Sequence, residues 1–261
     1  MSQSFTLAVC AEMVYRDLPF VERVRLLDSA GFAVEMWDST VKDIDVLEAT
    51  GIPIVSMTGY LEGSVSDSAN AHRVIETAAE LVETAKRVGC TRLVVHSAEL
   101  VAGLAARPTF RTTGHMWFTA RDTMLRLGDL GAQHGVTFCL ENLNTIVDHP
   151  GIPLARAKDT LDIIREVNHP NARMMLDLYH AQIGEGNLIE LVRDALPWIG
   201  EIQVADVPGR AQPGTGEINF AAIAKELSVL GYTGTVGLEG WVLGDTVAGL
   251  QEFKDAFTLL R

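Results

Sequence analysis

Short apolar runs and amphipathic stretches alternate along the whole chain. The apolar runs fall at Thr6–Cys10, Ala33–Trp37, Ile52–Met57, Arg92–His96, Val136–Glu141, Arg173–Asp177, Ile199–Val204 and Thr235–Glu239. Each is rich in Val, Ile, Leu, Met or Phe and lacks clean polar alternation, which predicts strands covered on both faces. Between them the spacing becomes helical. Over Ala69–Val88, residues Val74, Ala78, Leu81, Val82 and Ala85 share one stripe, Arg73, Glu76, Glu80 and Glu83 lie elsewhere, and Gly89 supplies a stop. The same spacing predicts helices over Phe118–His134, Leu154–Val167, Gly186–Leu196, Phe220–Leu230 and Asp245–Leu260. Gly31, Gly89, Gly135 and Gly231 each stand where a helix gives way to the next strand. Eight strand–helix units of about 33 residues fill the chain, the size of an α/β protein built as a single (β/α)8 TIM barrel. One domain is therefore expected over residues 1–261. A doubly wound open sheet is the competing arrangement, but no G-x-G-x-x-G follows the first strand and no linker divides the sequence.

Composition narrows the function classes. The chain has 21 Lys plus Arg against 34 Asp plus Glu, a formal charge of −13, and no basic cluster. That field is wrong for nucleic acid or an anionic membrane. The three cysteines are widely spaced and form no C-x-x-C pair, so reduced core residues are expected. The N-terminal Met-Ser-Gln-Ser has no basic segment followed by an apolar stretch, and no run approaches the roughly 18 apolar residues of a membrane helix. A cytoplasmic protein is the expectation.

In a TIM barrel the catalytic groups project from the C-terminal ends of the strands. The fifth run ends in Glu141, the sixth in Asp177 and the eighth in Glu239, while the seventh carries Gln203 near its end. Any one such carboxylate could be a helix cap or half of a surface ion pair. Three on neighbouring strands would repel one another, and a divalent cation resolves that repulsion. Three carboxylates and an amide carbonyl make an all-oxygen set that suits Mg²⁺ or Mn²⁺ better than zinc or copper. Trp37 and His96, at the ends of the second and fourth runs, are expected to face the same pocket and to influence substrate choice.

The segments Glu141-Asn142-Leu143-Asn144, Asp177-Leu178-Tyr179-His180, Ile202-Gln203-Val204-Ala205-Asp206 and the stretch from Arg210 through Pro213-Gly214-Thr215-Gly216-Glu217 to Asn219 carry a resemblance. Together they resemble the hydroxypyruvate isomerase family, within the xylose-isomerase-like TIM barrels. The resemblance is strongest from Val136 to Trp241. It implies metal ligation by Glu141, Asp177, Gln203 and Glu239, with Glu141 and Glu239 also serving as an acid/base pair on opposite faces of the substrate. It further implies that His180 and Arg210 hold substrate oxygens, Arg210 by pairing with a substrate carboxylate. Relatives often carry an acidic residue six positions after the glutamate. Here that position is Val147, and Asp148 is the candidate substitute.

The implied reaction is metal-assisted aldose–ketose isomerisation through an enediolate, hydroxypyruvate to tartronate semialdehyde being the best named case. Isomerisation or 3-epimerisation of a larger sugar or sugar acid, and an inosose-type dehydration, are alternatives. No nucleotide or flavin cofactor is required, and a homo-oligomer is compatible. The related apurinic endonucleases need clustered histidine ligands and a basic face, neither of which the sequence offers. A non-catalytic binding barrel would not need two opposed proton carriers.

The remaining candidates read more plainly. Glu12 and Glu35 are candidates to approach the pocket, Glu35 the weaker because barrel interiors also hold structural polar residues. His72, His134 and His169 read as solvated on the opposite face, and Cys10, Cys139, Met174 and Met175 as core. His115 and Trp117 are expected in a loop on the catalytic side, next to the Arg- and Thr-rich stretch Arg107–Thr113, as a lid or a partner surface.

Overall fold

The computed structural model describes residues 5–258. Its first half runs β1 (Thr6–Cys10), α1 (Phe20–Ser29), β2 (Ala33–Glu35), α2 (Ile44–Thr50), β3 (Ile54–Thr58), α3 (Ala71–Arg87) and β4 (Arg92–Val95). A small hairpin follows, β5 (Leu100–Val101) and β6 (Leu104–Ala105), then α4 (Gly114–His134). The second half runs β7 (Thr137–Glu141), α5 (Ala157–Val167), β8 (Ala172–Asp177), α6 (Leu178–Gly184), α7 (Leu188–Ala195) and β9 (Ile199–Val204). It ends with α8 (Phe220–Val229), β10 (Thr235–Leu238) and α9 (Thr246–Ala256).

Eight parallel strands close into one ring in the order β1-β10-β9-β8-β7-β4-β3-β2. This is the expected TIM barrel. The apolar stripe of α3 is buried as its spacing requires, with Val74, Ala78, Val82 and Ala85 fully covered. Side-chain caps fix several helix starts: Thr113 accepts from Met116 N, Asn219 from Ala222 N and Asp245 from Ala248 N. The first and last units are joined across the N-terminal face by aromatic packing. Phe32 stacks on Phe253 at 6.0 Å, and Phe5 meets Phe257 edge-on at 6.1 Å.

Local departures have local causes. β3 starts at Ile54, because Pro53 cannot donate to a sheet ladder. β2 stops at Glu35, and the Trp37 amide instead donates to Glu12 Oε1 at 3.1 Å. The Thr113 cap starts α4 at Gly114, so His115 and Trp117 ride on helix rather than loop, with His115 Nε2 2.9 Å from Ser68 Oγ. His169, read as solvated, is half-buried under α4, where Gly128 leaves it room; a Cβ at 128 would come within 2.6 Å of its ring. The last helix ends at Ala256, and the final residues of the expected Asp245–Leu260 helix lie outside the described residues. All three cysteines are buried and free.

Candidate active site

The C-terminal ends of β7, β9 and β10 place Glu141, Gln203 and Glu239 around one cavity of about 480 Å³, and the end of β8 sets Asp177 behind them, against His180 and Arg210. Register contributes directly, since Asp177 lies opposite Gln203 and Gln203 opposite Gly237. Asn142 clamps β7 to β8: its Nδ2 donates to Asp177 O at 2.9 Å and its Oδ1 accepts from Asp177 N at 3.0 Å. Asp177 ends β8 and caps α6 at once, its Oδ1 accepting from His180 N at 3.0 Å. That cap brings His180 into the site one turn later. The opposite wall comes from the first half of the chain, through Trp37, Tyr60, His96 and Gly103.

Burial dominates the electrostatics. It pushes the Glu141 carboxyl well above the ordinary range, with the charge of Glu239 adding to it. Burial also raises Asp177; Arg210 opposes the shift, while Glu141 and Glu239 reinforce it. Arg210 lies among these acids. Its Nη2 donates to Glu239 Oε2 and reaches Asp177 Oδ2 at 3.4 Å, and its Nε donates to Glu239 O at 3.2 Å. Burial works against the guanidinium charge, but Glu239, Asp177 and Glu141 outweigh it and hold Arg210 cationic. Trp37 Nε1 donates to the other oxygen of Glu239.

Of the histidines that line the cavity, His180 has its proton position fixed by a neighbour and His96 can adopt either tautomer. Asn144 Oδ1 accepts from Val147 N at 2.9 Å and Asp148 N at 3.2 Å, which leaves Nδ2 facing His180 Nδ1 at 2.8 Å. An amide nitrogen can only donate, so His180 Nδ1 accepts and the ring proton sits on Nε2. Burial, reinforced by Arg210, keeps this ring neutral. Among the described residues Nε2 has no hydrogen-bond partner; Asp177 Oδ2 lies at 3.6 Å and Glu141 Oε1 at 3.9 Å. His180 thus offers a free N–H to the cavity. His96 Nε2 lies 3.0 Å from Glu141 Oε2, and its Nδ1 lies 3.0 Å from Tyr60 Oη, which also reaches Ala98 O at 3.2 Å. Burial lowers the His96 pKa to about 4, so the ring is neutral near pH 7. This chain satisfies Glu141 in either protonation state. With Nε2 protonated, His96 donates to the carboxylate; with Nδ1 protonated, it donates to Tyr60 and accepts from the carboxylic acid.

Glu141, Asp177 and His180 each place one ligand-type atom within 4.8 Å of the others, so this buried group could hold a metal. The His180 tautomer makes that residue a donor, leaving the two carboxylates as the ligands. The buried Oε1 of Gln203 has no partner among the described residues, which suits it to join them. These oxygens fit a hard divalent cation. Glu239, expected in the same set, is held apart from this group by Trp37 and Arg210.

Other expectations divide. Trp37 and His96 do line the cavity. Glu12 does not: it holds the Trp37 amide and pairs with Lys42 at 3.0 Å, so it supports the wall from behind. Glu35 does line it, with Oε2 accepting from Gln203 Nε2 at 3.1 Å. Asp148 reaches the site through Asn144, whose Nδ2 donates to Asp148 Oδ2 at 2.6 Å. Sequence reasoning passed over His149, whose Nδ1–H donates to Gly103 O at 2.6 Å and ties the hairpin turn to the cavity rim. His149 directly precedes Pro150-Gly151, and that turn pair was the available signal.

Arg210 owes its position to a buried carboxylate below the loop. Asp206 Oδ1 accepts from Val207 N and Ile218 N, and Oδ2 from Gly214 N and Gly216 N, at 2.8–3.0 Å. Gly216 packs so tightly that a Cβ there would meet Val207 O at 2.0 Å. Asp206 N also donates to Ala211 O at 2.7 Å, closing a turn in which Arg210 takes the left-handed φ of +53°. Replacing Asp206 by Ala strands several of these amides and should cost about 3 kcal/mol. A Tm drop of roughly 6–12 °C in a thermal scan is the expected reading. An unchanged Tm would show that the loop does not depend on this carboxylate.

Comparisons with known proteins agree with the architecture. The family described as Xylose isomerase-like TIM barrel matches residues 26–261. The chain is 31% identical over 257 residues to a protein of Haemophilus influenzae named 2-oxo-tetronate isomerase, covering 93% of this chain and 95% of that one. It is 33% identical over 172 residues to a Xenopus laevis protein named "Putative hydroxypyruvate isomerase". That match covers 66% of this chain and spans only 62% of the relative's length. A crystal structure from Brucella melitensis, described as AP endonuclease, family 2, superposes with a TM-score of 0.81 at 27% identity, covering 95% of this chain and 98% of that one. The chain belongs to the xylose isomerase-like TIM barrel family.

Proposed function

We propose that this chain is a divalent-metal-assisted isomerase of a small hydroxy-keto acid, hydroxypyruvate to tartronate semialdehyde being the leading case. One observation carries the reading. Two buried carboxylates, Glu141 and Glu239, come from strands three steps apart in the ring, face one cavity, and are each held by a fixed neutral donor or relay. The isomerase name of the Haemophilus relative, which aligns over nearly the whole chain, supports the same class.

Glu141, Asp177 and Gln203 through Oε1 would hold the cation, and Glu239 would join them once it releases Arg210. When bound, it polarises a carbonyl and the adjacent hydroxyl oxygen and so acidifies the C–H bond between. The chain's own groups do the rest. One of the two glutamates removes the proton from the hydroxyl-bearing carbon to give an enediolate, and a proton is returned to the neighbouring carbon. The first oxygen loses its proton, the second gains one, and the carbonyl has moved by one carbon. The free Nε2–H of His180 donates to the oxygen where negative charge grows. The His96–Tyr60 chain keeps Glu141 hydrogen-bonded before and after it takes a proton. Arg210 pairs with the substrate carboxylate, exchanging one of its present acid partners for it.

Because burial raises Glu141 and Asp177, cation loading must displace protons. Affinity for Mn²⁺ should therefore climb as pH rises above the ordinary carboxylate range. Titration calorimetry in buffers of different ionisation enthalpy would show proton release. A pH-independent affinity with no release would remove the two acids from the ligand set.

The cavity supports a second reading. At about 480 Å³ it has more room than a three-carbon acid fills, which favours isomerisation or epimerisation of a longer sugar acid by the same proton transfer. An endonuclease role, as the Brucella structure's description would suggest, is disfavoured by the formal charge of −13. Proton NMR in D₂O with Mg²⁺ or Mn²⁺, against hydroxypyruvate and a panel of ketoses and keto acids, decides among these. Metal-dependent deuterium uptake beside a carbonyl, with product formed, is expected and would name the substrate. A chain that binds metal but exchanges no panel member would count against isomerisation.

A further inference from the structure

Below the site the barrel interior contains a polar layer that the proposed chemistry does not use. Glu35, on β2, reaches inward across two strands, β1 and β10, to Gln203 on β9. Its path exists because position 237 is glycine; a Cβ there would lie 1.6 Å from Glu35 Oε1. Glu35 is 2% exposed, and its Oε2 accepts from Gln203 Nε2 at 3.1 Å. One layer further down, Glu201 is fully buried, has Arg92 Nη1 at 3.6 Å, and leaves both carboxylate oxygens without a hydrogen-bond partner. Glu35 Oε1 is unpartnered too.

These facts fit one arrangement. A proton shared between Glu35 Oε1 and one Glu201 oxygen would pair two of these three oxygens and leave the third on the side of Arg92. The Gln203 amide is then fixed in direction. Its nitrogen end is spent on Glu35, and its oxygen end, buried and unpartnered, is what remains for the cavity.

We propose that Glu35 is a positioning residue: by accepting from Gln203 Nε2 through the gap left by Gly237, it presents Gln203 Oε1 to the site as a neutral ligand of fixed orientation. This rests on the reading of Gln203 as a metal ligand given above. Without Glu35 the amide could rotate and offer its N–H₂ end, which repels a cation. Outer partners of this kind typically contribute 10–100-fold to metal affinity.

The test uses the whole chain and two readouts. The first, in metal-free ¹⁵N-labelled protein, is solvent exchange of the Gln203 side-chain amide, assigned by its loss in Gln203→Leu. The second is Mn²⁺ affinity from the free-ion electron paramagnetic resonance signal. Glu35→Gln can still accept from Gln203 and donate to Glu201, so it should keep slow exchange and wild-type affinity. Glu35→Met should speed the exchange and weaken Mn²⁺ binding by about 10–100-fold. If Glu35→Met does not fold because Glu201 loses its partner, the double variant Glu35→Met/Glu201→Met removes both acids and carries the same expectation. Unchanged exchange in the Met variants overturns the proposal, as does unchanged Mn²⁺ affinity. A wild-type chain that binds no Mn²⁺ would instead overturn the ligand assignment of Gln203, and with it the metal half of the proposal, while the exchange comparison still decides whether Glu35 orients the amide.

Discussion

Replacing Glu141 by Gln should lower turnover by about 10²–10⁴-fold and leave the barrel folded, if Glu141 carries the proton as proposed. Gln has the same shape, and its amide can answer His96 Nε2 in either tautomer, so the wall around position 141 keeps its hydrogen bonds. What it cannot do is carry a proton between two carbons. The stability of the variant has a definite sign. A carboxyl whose folded pKa is raised above its unfolded value costs stability as pH rises from the unfolded value to the folded one. Metal-free Glu141→Gln should therefore match wild type at low pH and become the more stable of the two as pH rises above the ordinary carboxylate range. Rates and thermal scans at several pH values check both halves. Retained turnover would remove Glu141 from the acid/base role.

Arg210→Met should separate the two duties assigned to that residue. Against a carboxylate-bearing substrate, kcat/KM should fall by about 10²–10³-fold, the scale of removing one partner of a buried ion pair. A neutral ketose of similar length should lose far less. Meanwhile Asp177 and Glu239 lose the cation that now neutralises them, so the metal-free variant should melt lower than wild type. Mn²⁺ should restore its Tm and bind it at least as tightly as it binds wild type, because the guanidinium no longer competes for the same oxygens. A destabilised variant that Mn²⁺ does not rescue would mean that these acids exist to hold Arg210 rather than a metal.

The strands and their terminal acids were legible for a common reason. A strand buried on both faces must be an unbroken apolar run, so Glu141, Asp177 and Glu239 stood out as ionisable groups closing such runs. Features without a period were not legible. The Leu100–Ala105 hairpin has two-residue strands, too short for any alternation to register, yet it supplies a rim of the cavity. Tyr60 and His149 lie in loops, and only the fold brings Tyr60 to His96 and His149 to Gly103. Glu35 was seen and given little weight, because one inward acid has no meaning until Gln203 and Gly237 are known to face it. The fate of Arg210 was half legible. Its place at the site could be expected, but its present bonds to Asp177 and Glu239 depend on a left-handed turn that spacing does not encode.

The division of the cavity wall has a consequence for how this barrel can change. Every residue assigned to proton transfer, ligation or charge pairing lies between positions 141 and 239. The facing wall of Trp37, Tyr60, His96 and Gly103 comes from positions 37–103. The proposed reacting groups thus lie in the second half of the gene, while much of the facing wall, and the side chains that hold those groups in place, lie in the first. Loops of the first half could be exchanged, by recombination or by design, with Glu35, Trp37, Tyr60 and His96 kept for their contacts to Gln203, Glu239 and the Glu141 relay, and the range of accepted substrates would drift while the proposed reacting groups kept their supports.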